Sequence, residues 1–314
     1  MDRRSGLAEG LAAAGLSAFF FWGLRFFPLI GIAFVPAAAL PLVRLGTRLG
    51  PRVATLSAVC AAAFSAAIGF ALTRSLPDAG GQAIAFLATA GACGIAGGLA
   101  RSRRASAVFL GLCVYGAAAG AAVWSFGPGA TPAIERDFDR MAAQGIASVR
   151  QSGADAAMLA RTQATIDLTR RIIVNGAPGL IAALWVLLAA VAFFLGRRLA
   201  PDRGDRSDFS RFHLPPACAA IFVLSGAAVA VLRGPARWAA ADVLAPLLVL
   251  YFLVGLSIIT YFARRWLRTG VLRAAVYVTA SWFPFPAGTA ALGLFDWYFD
   301  FRKKAEQRAI GRSE

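Results

Sequence analysis

Long apolar stretches alternate along this chain with short segments that carry arginine. Eight of these stretches are long enough to cross a bilayer, at about residues 7–24, 27–43, 53–72, 82–100, 105–126, 172–195, 214–232 and 242–262. A helix that crosses the hydrocarbon core needs about 20 mainly apolar residues. The pattern therefore predicts an all-α fold, a polytopic transmembrane helical bundle with eight spans.

The last apolar stretch, residues 272–301, does not have the pattern of a simple ninth span. It contains Pro284 and Pro286, and two prolines so close together break a helix. A complete crossing would also place Arg302 and the two lysines after it outside the cell, against the preference of basic residues for the cytoplasm. We therefore predict two half-length helices that form a re-entrant hairpin. A ninth full span is the alternative.

The distribution of arginine predicts the orientation of the chain. Clusters lie at residues 44–52, 101–104, 197–211 and 264–273, which are alternate connections between the apolar stretches. Connections rich in lysine and arginine face the cytoplasm. Both termini, including a basic tail at 302–314, are therefore expected in the cytoplasm. A cleaved signal peptide is disfavoured because the second apolar stretch follows the first almost immediately.

Residues 127–171 form the one substantial polar stretch, and the orientation places them outside. Thr131 followed by Pro132 is a typical helix start, and Ser152 with Asp155 predicts a second start after Gly153. We expect an amphipathic helical insertion, broken once. Residues 1–314 as a whole are predicted to be a single integral membrane domain.

Composition and charge agree with a membrane protein. Hydrophobic residues make up 59% of the chain, and the mean hydropathy is +0.65, too apolar for a soluble protein of this size. The net charge of +16 could indicate binding to nucleic acid. However, the arginines lie at the ends of apolar stretches, as membrane orientation requires, so no nucleic-acid partner is expected.

Candidate chemistry is sparse. The four cysteines, Cys60, Cys93, Cys113 and Cys218, each stand alone in an apolar stretch, and His213 is the one histidine. No metal site, cofactor or disulfide framework is indicated. Acidic or basic residues inside spans usually mark proton relays and ion paths, and the predicted spans contain almost none. The sequence therefore predicts a protein that is not an enzyme.

Two regions are candidate functional surfaces. Trp22, Arg25 and Phe26 are expected at the level of Asn175, which begins a loosened Asn-Gly-Ala-Pro-Gly segment, and together they could form a small-molecule pocket. The alternative is an aromatic belt with a helix cap. The second candidate is the stripe Gly10, Ala14 and Ala18, whose spacing by four lets helices approach closely. It serves either packing inside the bundle or contact with a partner membrane subunit.

Asp296 and Asp300 lie four residues apart and share one face of a helix. Such a pair could bind a metal or act in catalysis, but no third ligand is close in sequence. We therefore predict structural ion pairs with cytoplasmic arginines such as Arg264 or Arg265.

The chain resembles a known family at its carboxy-terminal end. The segments YFLVGLSIITYFARRW and GLFDWYFDFRKK, with the proline-broken run between them, resemble the YybS-like family of predicted bacterial membrane proteins (domain of unknown function 2232). FPLIGIAFVPAAALPLVRLG fits the proline-containing second span of that family. The resemblance implies the inner membrane of a bacterium. It also implies a distant similarity to the substrate-capture subunits of energy-coupling-factor transporters.

Those subunits bind a small molecule and contact a coupling subunit through small residues on the first helix, as the stripe on this chain would do. The predicted function is therefore a non-enzymatic membrane subunit of the small-molecule binding or transport type. Its energy would come from a partner ATPase, because the chain has no GxxxxGK[ST] motif. The alternative is a structural or assembly protein of the cell envelope with no transported substrate.

Overall fold

The computed structural model describes residues 3–26, 31–100, 105–126, 130–151, 153, 155–199, 209–267, 269–282 and 285–310. Within these ranges the secondary structure is helical, and no strand occurs. The predicted all-α class is therefore confirmed.

Thirteen α-helices, one π-helical turn and one 3-10 turn are described. Their bounds are α1 Arg3–Phe26, α2 Gly31–Leu49, α3 Pro51–Thr73, α4 Leu76–Phe86, the π turn Leu87–Gly91, α5 Ala92–Leu99, α6 Ala105–Phe126, α7 Ala130–Gln151, α8 Ala156–Arg198, the 3-10 turn Phe209–Arg211, α9 Pro216–Val231, α10 Pro235–Trp266, α11 Gly270–Ser281, α12 Phe285–Phe299 and α13 Phe301–Ile310.

Several helices are suited to cross a membrane. Among the described residues, four helical stretches have the length and apolar composition of a span: Pro51–Thr73, Leu76–Leu99, Ala156–Arg198 and Pro235–Trp266. Two shorter apolar helices are Ala105–Ala119 and Pro216–Val231. These stretches confirm a polytopic helical membrane protein, while the number of eight or nine spans stays a prediction.

The chain divides into two compact units. Unit 1 contains residues 1–116, 185–216 and 249–314, and unit 2 contains residues 117–184 and 217–248. Both α8 and α10 contribute residues to each unit. The prediction of a single integral membrane domain stays a prediction.

Small residues control the packing of the first helices of unit 1. A Cβ added at Gly10 would lie 3.0 Å from Ser57 Oγ, and one added at Gly69 would lie 3.5 Å from the Trp22 ring. Gly10 therefore faces Ser57, and Trp22 faces Gly69. Because both numbers rise together along the two helices, α1 and α3 run parallel. A Cβ at Gly94 would lie only 2.6 Å from Leu42 Cβ, so α5 packs on α2 at a distance that larger residues would prevent.

Two helix starts differ from or refine the prediction. The fourth span begins at Leu76 and not near residue 82, because the Ser75 hydroxyl accepts a hydrogen bond from the Asp78 N–H and caps the helix. The predicted restart after Gly153 is present, at Ala156, where an oxygen of Asp155 accepts a 2.7 Å hydrogen bond from the Met158 N–H. From there α8 continues for 43 residues, so the second outer helix and the sixth predicted span are one helix.

The last apolar stretch is broken where the prolines predict. It forms α11, of 12 residues, and α12, of 15 residues, on either side of residues 282–284. The helix α12 crosses α10 so closely that a Cβ at Gly255 would overlap Thr289 O and a Cβ at Gly293 would overlap Tyr251 O. Two half-length helices are therefore confirmed, and their re-entrant placement in the membrane stays a prediction.

Candidate binding groove

An apolar groove lies between the C-terminal part of α10 and the helix pair α11 and α12, all in unit 1. Its volume is about 430 Å³, within the usual range for small-molecule sites. The lining residues come from all three helices and the turn after α10: Ile259, Leu267, Leu272, Ala275, Val276, Thr279, Ala280, Phe285, Gly288, Thr289 and Leu292.

Close contacts join α12 to α10 and to the end of α11 on one side of the groove, and the space at Gly288 is open. Gly255 and Gly293 bring α12 into backbone contact with α10. The Thr289 hydroxyl donates a 3.1 Å hydrogen bond to the Ala280 carbonyl, which fixes the end of α11 against α12. At Gly288, in contrast, an added Cβ would meet open space. The groove therefore lies beside the tight crossing of α10 and α12, at a part of α12 where Gly288 has no close neighbour.

The lining offers apolar contact and little else. Its two hydroxyl groups already donate to backbone carbonyls, Thr279 to Ala275 at 2.9 Å and Thr289 to Ala280. The other lining residues are aliphatic, aromatic or glycine. Such a surface has the character of hydrocarbon, and its lining residues include no acidic, basic or nucleophilic side chain apart from the two bonded hydroxyl groups.

Positively charged residues lie next in the chain to the groove end at the turn after α10. Arg264 and Arg265 lie in the last turn of α10, and the Arg273 Nε–H donates a 2.9 Å hydrogen bond to the carbonyl of the lining residue Leu267. No aspartate or glutamate occurs in the sequence between Asp242 and Asp296. The groove therefore combines an apolar interior with a cationic end.

A buried ion pair fixes the end of α12. Asp296 is 7% exposed, and one of its oxygens lies 2.6 Å from a terminal nitrogen of Arg302. The other terminal nitrogen of Arg302 donates to the carbonyls of Ser210, at 2.7 Å, and Phe212, at 3.1 Å. We call these four residues the C-terminal ion-pair network.

One residue in a left-handed conformation, Asp300, separates α12 from α13. Asp300 has a φ of 48°, the left-handed conformation that ends α12, and α13 begins at the next residue. The Phe301 N–H then donates to an Asp296 oxygen at 3.2 Å. Asp300 itself pairs with Lys303 at 2.8 Å on the surface, and this hydrogen bond raises the pKa of the Lys303 ammonium. The aspartates thus contact cations of the following helix, where the sequence had suggested Arg264 or Arg265.

The ion-pair network lies at a defined end of unit 1. The Phe212 ring centroid lies 5.6 Å from that of Phe109 and 5.5 Å from that of Phe194. Phe109 closely follows the arginine cluster at 101–104, and Phe194 shortly precedes the cluster at 197–211. Arg302, bonded to the Phe212 carbonyl, is therefore at the arginine-bearing end of the unit, and the side of the membrane that this end faces stays a prediction.

The family model for predicted membrane proteins described as DUF2232 matches residues 15–297. The chain belongs to this family. The match covers the groove and Asp296 and ends before Arg302. No curated protein and no solved structure matches the chain.

The pocket predicted from the sequence involves residues that the structure assigns to different units. Trp22 is buried in unit 1, only 4% exposed. Asn175 is exposed in unit 2, where its side-chain amide donates to the Arg171 carbonyl at 2.9 Å. The side chains of Arg25 and Phe26 lie outside the described residues. This pocket stays a prediction, and the groove described above is a separate site.

The small-residue stripe on α1 lies inside unit 1. Ala14 is fully buried, Ala18 is 2% exposed and Gly10 faces Ser57 on α3. These positions fit the packing alternative, because a stripe that meets another subunit must be accessible. The exposed face of α1 carries instead Leu11, Leu16 and Phe19.

One polar contact in unit 2 could not be inferred from the sequence. The Gly179 N–H donates a 2.9 Å hydrogen bond to Asp242 Oδ1, and a Cβ at Gly179 would lie 2.5 Å from Asp242 Cα. Nothing in their spacing of 63 positions indicates a pair. The described residues contain no group of three or more His, Cys, Asp or Glu side chains suited to a metal ion.

Proposed function

We propose that this protein is a multi-pass protein of the bacterial inner membrane that binds a small apolar or amphiphilic molecule without catalysing a reaction. The groove formed by α10, α11 and α12 is the observation that carries the proposal. It is large enough for a small molecule, it is lined by hydrocarbon, and its hydroxyl groups are already bonded to the backbone.

A role in uptake requires partners. The chain contains no phosphate-binding GxxxxGK[ST] motif, so a separate ATPase would supply the energy. Because Ala14 and Ala18 are buried, a membrane partner would contact another surface of α1, such as the one that exposes Leu11 and Phe19. Both termini are proposed to face the cytoplasm.

The binding proposal is tested by filling the groove. Gly288→Phe places a ring where an added Cβ meets open space, so the fold should survive while the groove volume is lost. The matched control is Gly111→Phe on α6, where a Cβ also meets open space. Each protein is purified in several mild detergents, and the small molecules that co-purify are quantified by mass spectrometry.

We expect one or more compounds to co-purify with the wild type and with Gly111→Phe, and to be absent from Gly288→Phe. Equal amounts of the same compounds in all three samples would contradict binding in the groove. Absence of any bound compound from the wild type in every detergent would contradict the proposal as a whole.

A structural or assembly role in the envelope is the second candidate. It is favoured by large apolar side chains that are exposed on the polar outer helices of unit 2: Met141 is 71% exposed, Met158 53% and Leu168 60%. Exposed apolar residues on a polar helix often mark a protein contact. If Met141→Glu disrupted a co-purifying complex and Gly288→Phe had no effect on it, this second role would be favoured.

A further inference from the structure

We infer that the groove holds an acyl chain of an anionic phospholipid from the cytoplasmic leaflet, with the phosphate of the headgroup bound by the arginines at the end of α10 and the start of α11. This inference rests on the proposed binding function and names the class of ligand. Three features of the structure carry it.

The first feature is the position of the groove along α10. The Ser257 hydroxyl donates a 3.0 Å hydrogen bond to the Phe212 carbonyl, so this part of α10 lies at the arginine-bearing end of unit 1. The α10 side of the groove, Ile259 and Leu267, follows Ser257 in the direction of that end. Since arginine-rich ends face the cytoplasm, the groove is placed on the cytoplasmic side of the membrane.

The second feature is the length of the apolar surface. The groove follows α11 from Leu272 to Ala280, which is about 12 Å at a rise of about 1.5 Å per residue. One leaflet contributes about 15 Å of hydrocarbon. A groove of this length accommodates most of one acyl chain that lies parallel to the helix, and each buried CH₂ group contributes to binding.

The third feature is charge complementarity. Leu267 and Leu272 lie at the groove end where Arg273 bonds to the Leu267 carbonyl, and Arg265, two residues before Leu267 in the chain, is exposed. The bond to Leu267 uses one of the five N–H donors that a guanidinium has. Basic side chains between helices on the cytoplasmic side are typical binding groups for anionic headgroups. The segment between positions 242 and 296 has no acidic residue, so the charges that it brings to this end of the groove are positive and favour an anionic lipid over a zwitterionic one.

The full-length protein tests the inference. It is reconstituted with equal amounts of phosphatidylglycerol and phosphatidylcholine that have the same acyl chains, extracted, and analysed by native mass spectrometry. The variants are Arg265→Gln, Arg273→Gln and the groove-filling Gly288→Phe. The control is Arg233→Gln, an exposed arginine of unit 2. Arg265→Gln keeps the test valid if the loss of the Arg273 bond to Leu267 reduces folding.

We expect one retained phosphatidylglycerol per wild-type protein, about fivefold weaker retention for Arg265→Gln, since one arginine near an anionic headgroup contributes about a factor of five, and no retention for Gly288→Phe. Arg233→Gln should match the wild type. Retention of both lipids alike, with no effect of the arginine substitutions, would overturn the inference, as would a fatty acid without phosphate or a second copy of the chain in the groove.

The outcomes also separate the two proposals. If Gly288→Phe displaces a compound that is not an anionic phospholipid, the binding function stands and the identity of the ligand is wrong. If Gly288→Phe retains as much phosphatidylglycerol as the wild type does, the lipid is bound elsewhere. That result would contradict the groove as the binding site in both proposals.

Discussion

The substitution Asp296→Asn should destabilise the protein strongly, whereas Asp300→Asn, four residues away, should not. The two changes are chemically identical and lie in the same segment. They differ in burial: the side chains of Asp296 and Arg302 are 8% and 14% exposed, while those of Asp300 and Lys303 are 54% and 73% exposed. Comparing the two variants therefore measures how burial affects the contribution of an ion pair to stability, within one segment of the sequence.

The loss of stability expected for Asp296→Asn depends on the charge that the substitution leaves buried. Removing one charge of a buried ion pair costs about 3–5 kcal/mol, because the other charge stays buried without its counter-charge. Arg302 would keep the carbonyls of Ser210 and Phe212, and the asparagine oxygen could still accept from the Phe301 N–H. We therefore expect the lower end, about 3 kcal/mol, or a decrease of roughly 6–12 °C in the apparent unfolding temperature. An exposed ion pair contributes little, and asparagine tolerates the left-handed conformation of Asp300.

The assay is thermal unfolding in detergent, followed by the loss of the monodisperse chromatographic peak, for the wild type and both variants. A double-mutant cycle with Arg302→Gln shows whether the effect arises from the pair. The Arg302→Gln change should cost much less in the Asp296→Asn background than in the wild type. Equal stability of the two aspartate variants, or additive costs in the cycle, would refute the argument from burial.

Three further predictions use the packing and the orientation of the chain. Gly255→Ala should lower the unfolding temperature, because its Cβ would overlap the backbone of α12. Gly111→Ala, which has open space around its Cβ, should be neutral or stabilising. Equal effects of the two substitutions would contradict the close crossing. Ser17→Ala should be neutral or raise the unfolding temperature, since the fully buried Ser17 hydroxyl has no hydrogen-bond partner among the described residues, and a clear decrease would indicate a missing partner. In a cysteine-free background, an impermeant thiol reagent applied to intact cells should label a cysteine at Ser148 and not one at Gln307, and labelling of Gln307 would favour nine spans.

The sequence predicted those features that depend on local chemistry. The prolines at 284 and 286 indicated the break between α11 and α12, and the spacing of Gly10, Ala14 and Ala18 indicated a packed helix face. The start of the fourth span was placed about six residues too late, although Ser75 and Asp78 were visible as a cap. Apolar periodicity had more influence on the boundary than the capping residues did.

Features that depend on tertiary contacts could not be predicted in the same way. Asp296 was expected to form an ion pair, but its partner Arg302 is brought back by the left-handed turn at Asp300, which no periodicity in the segment reveals. The groove was missed for a related reason. In a membrane helix, residues such as Leu272 and Val276 have the same character whether they face lipid or a cavity, so the lining becomes apparent only when three helices are placed together.

The family match extends over the groove and over the close helix crossing beside it. Residues 15–297 include both glycines of the α10–α12 crossing and every lining residue of the groove. Arg302, which completes the buried ion pair, lies beyond the match. The crossing and the groove lie wholly within the matched residues, and the crossing requires glycine at both contact positions because a Cβ at either would overlap the facing backbone.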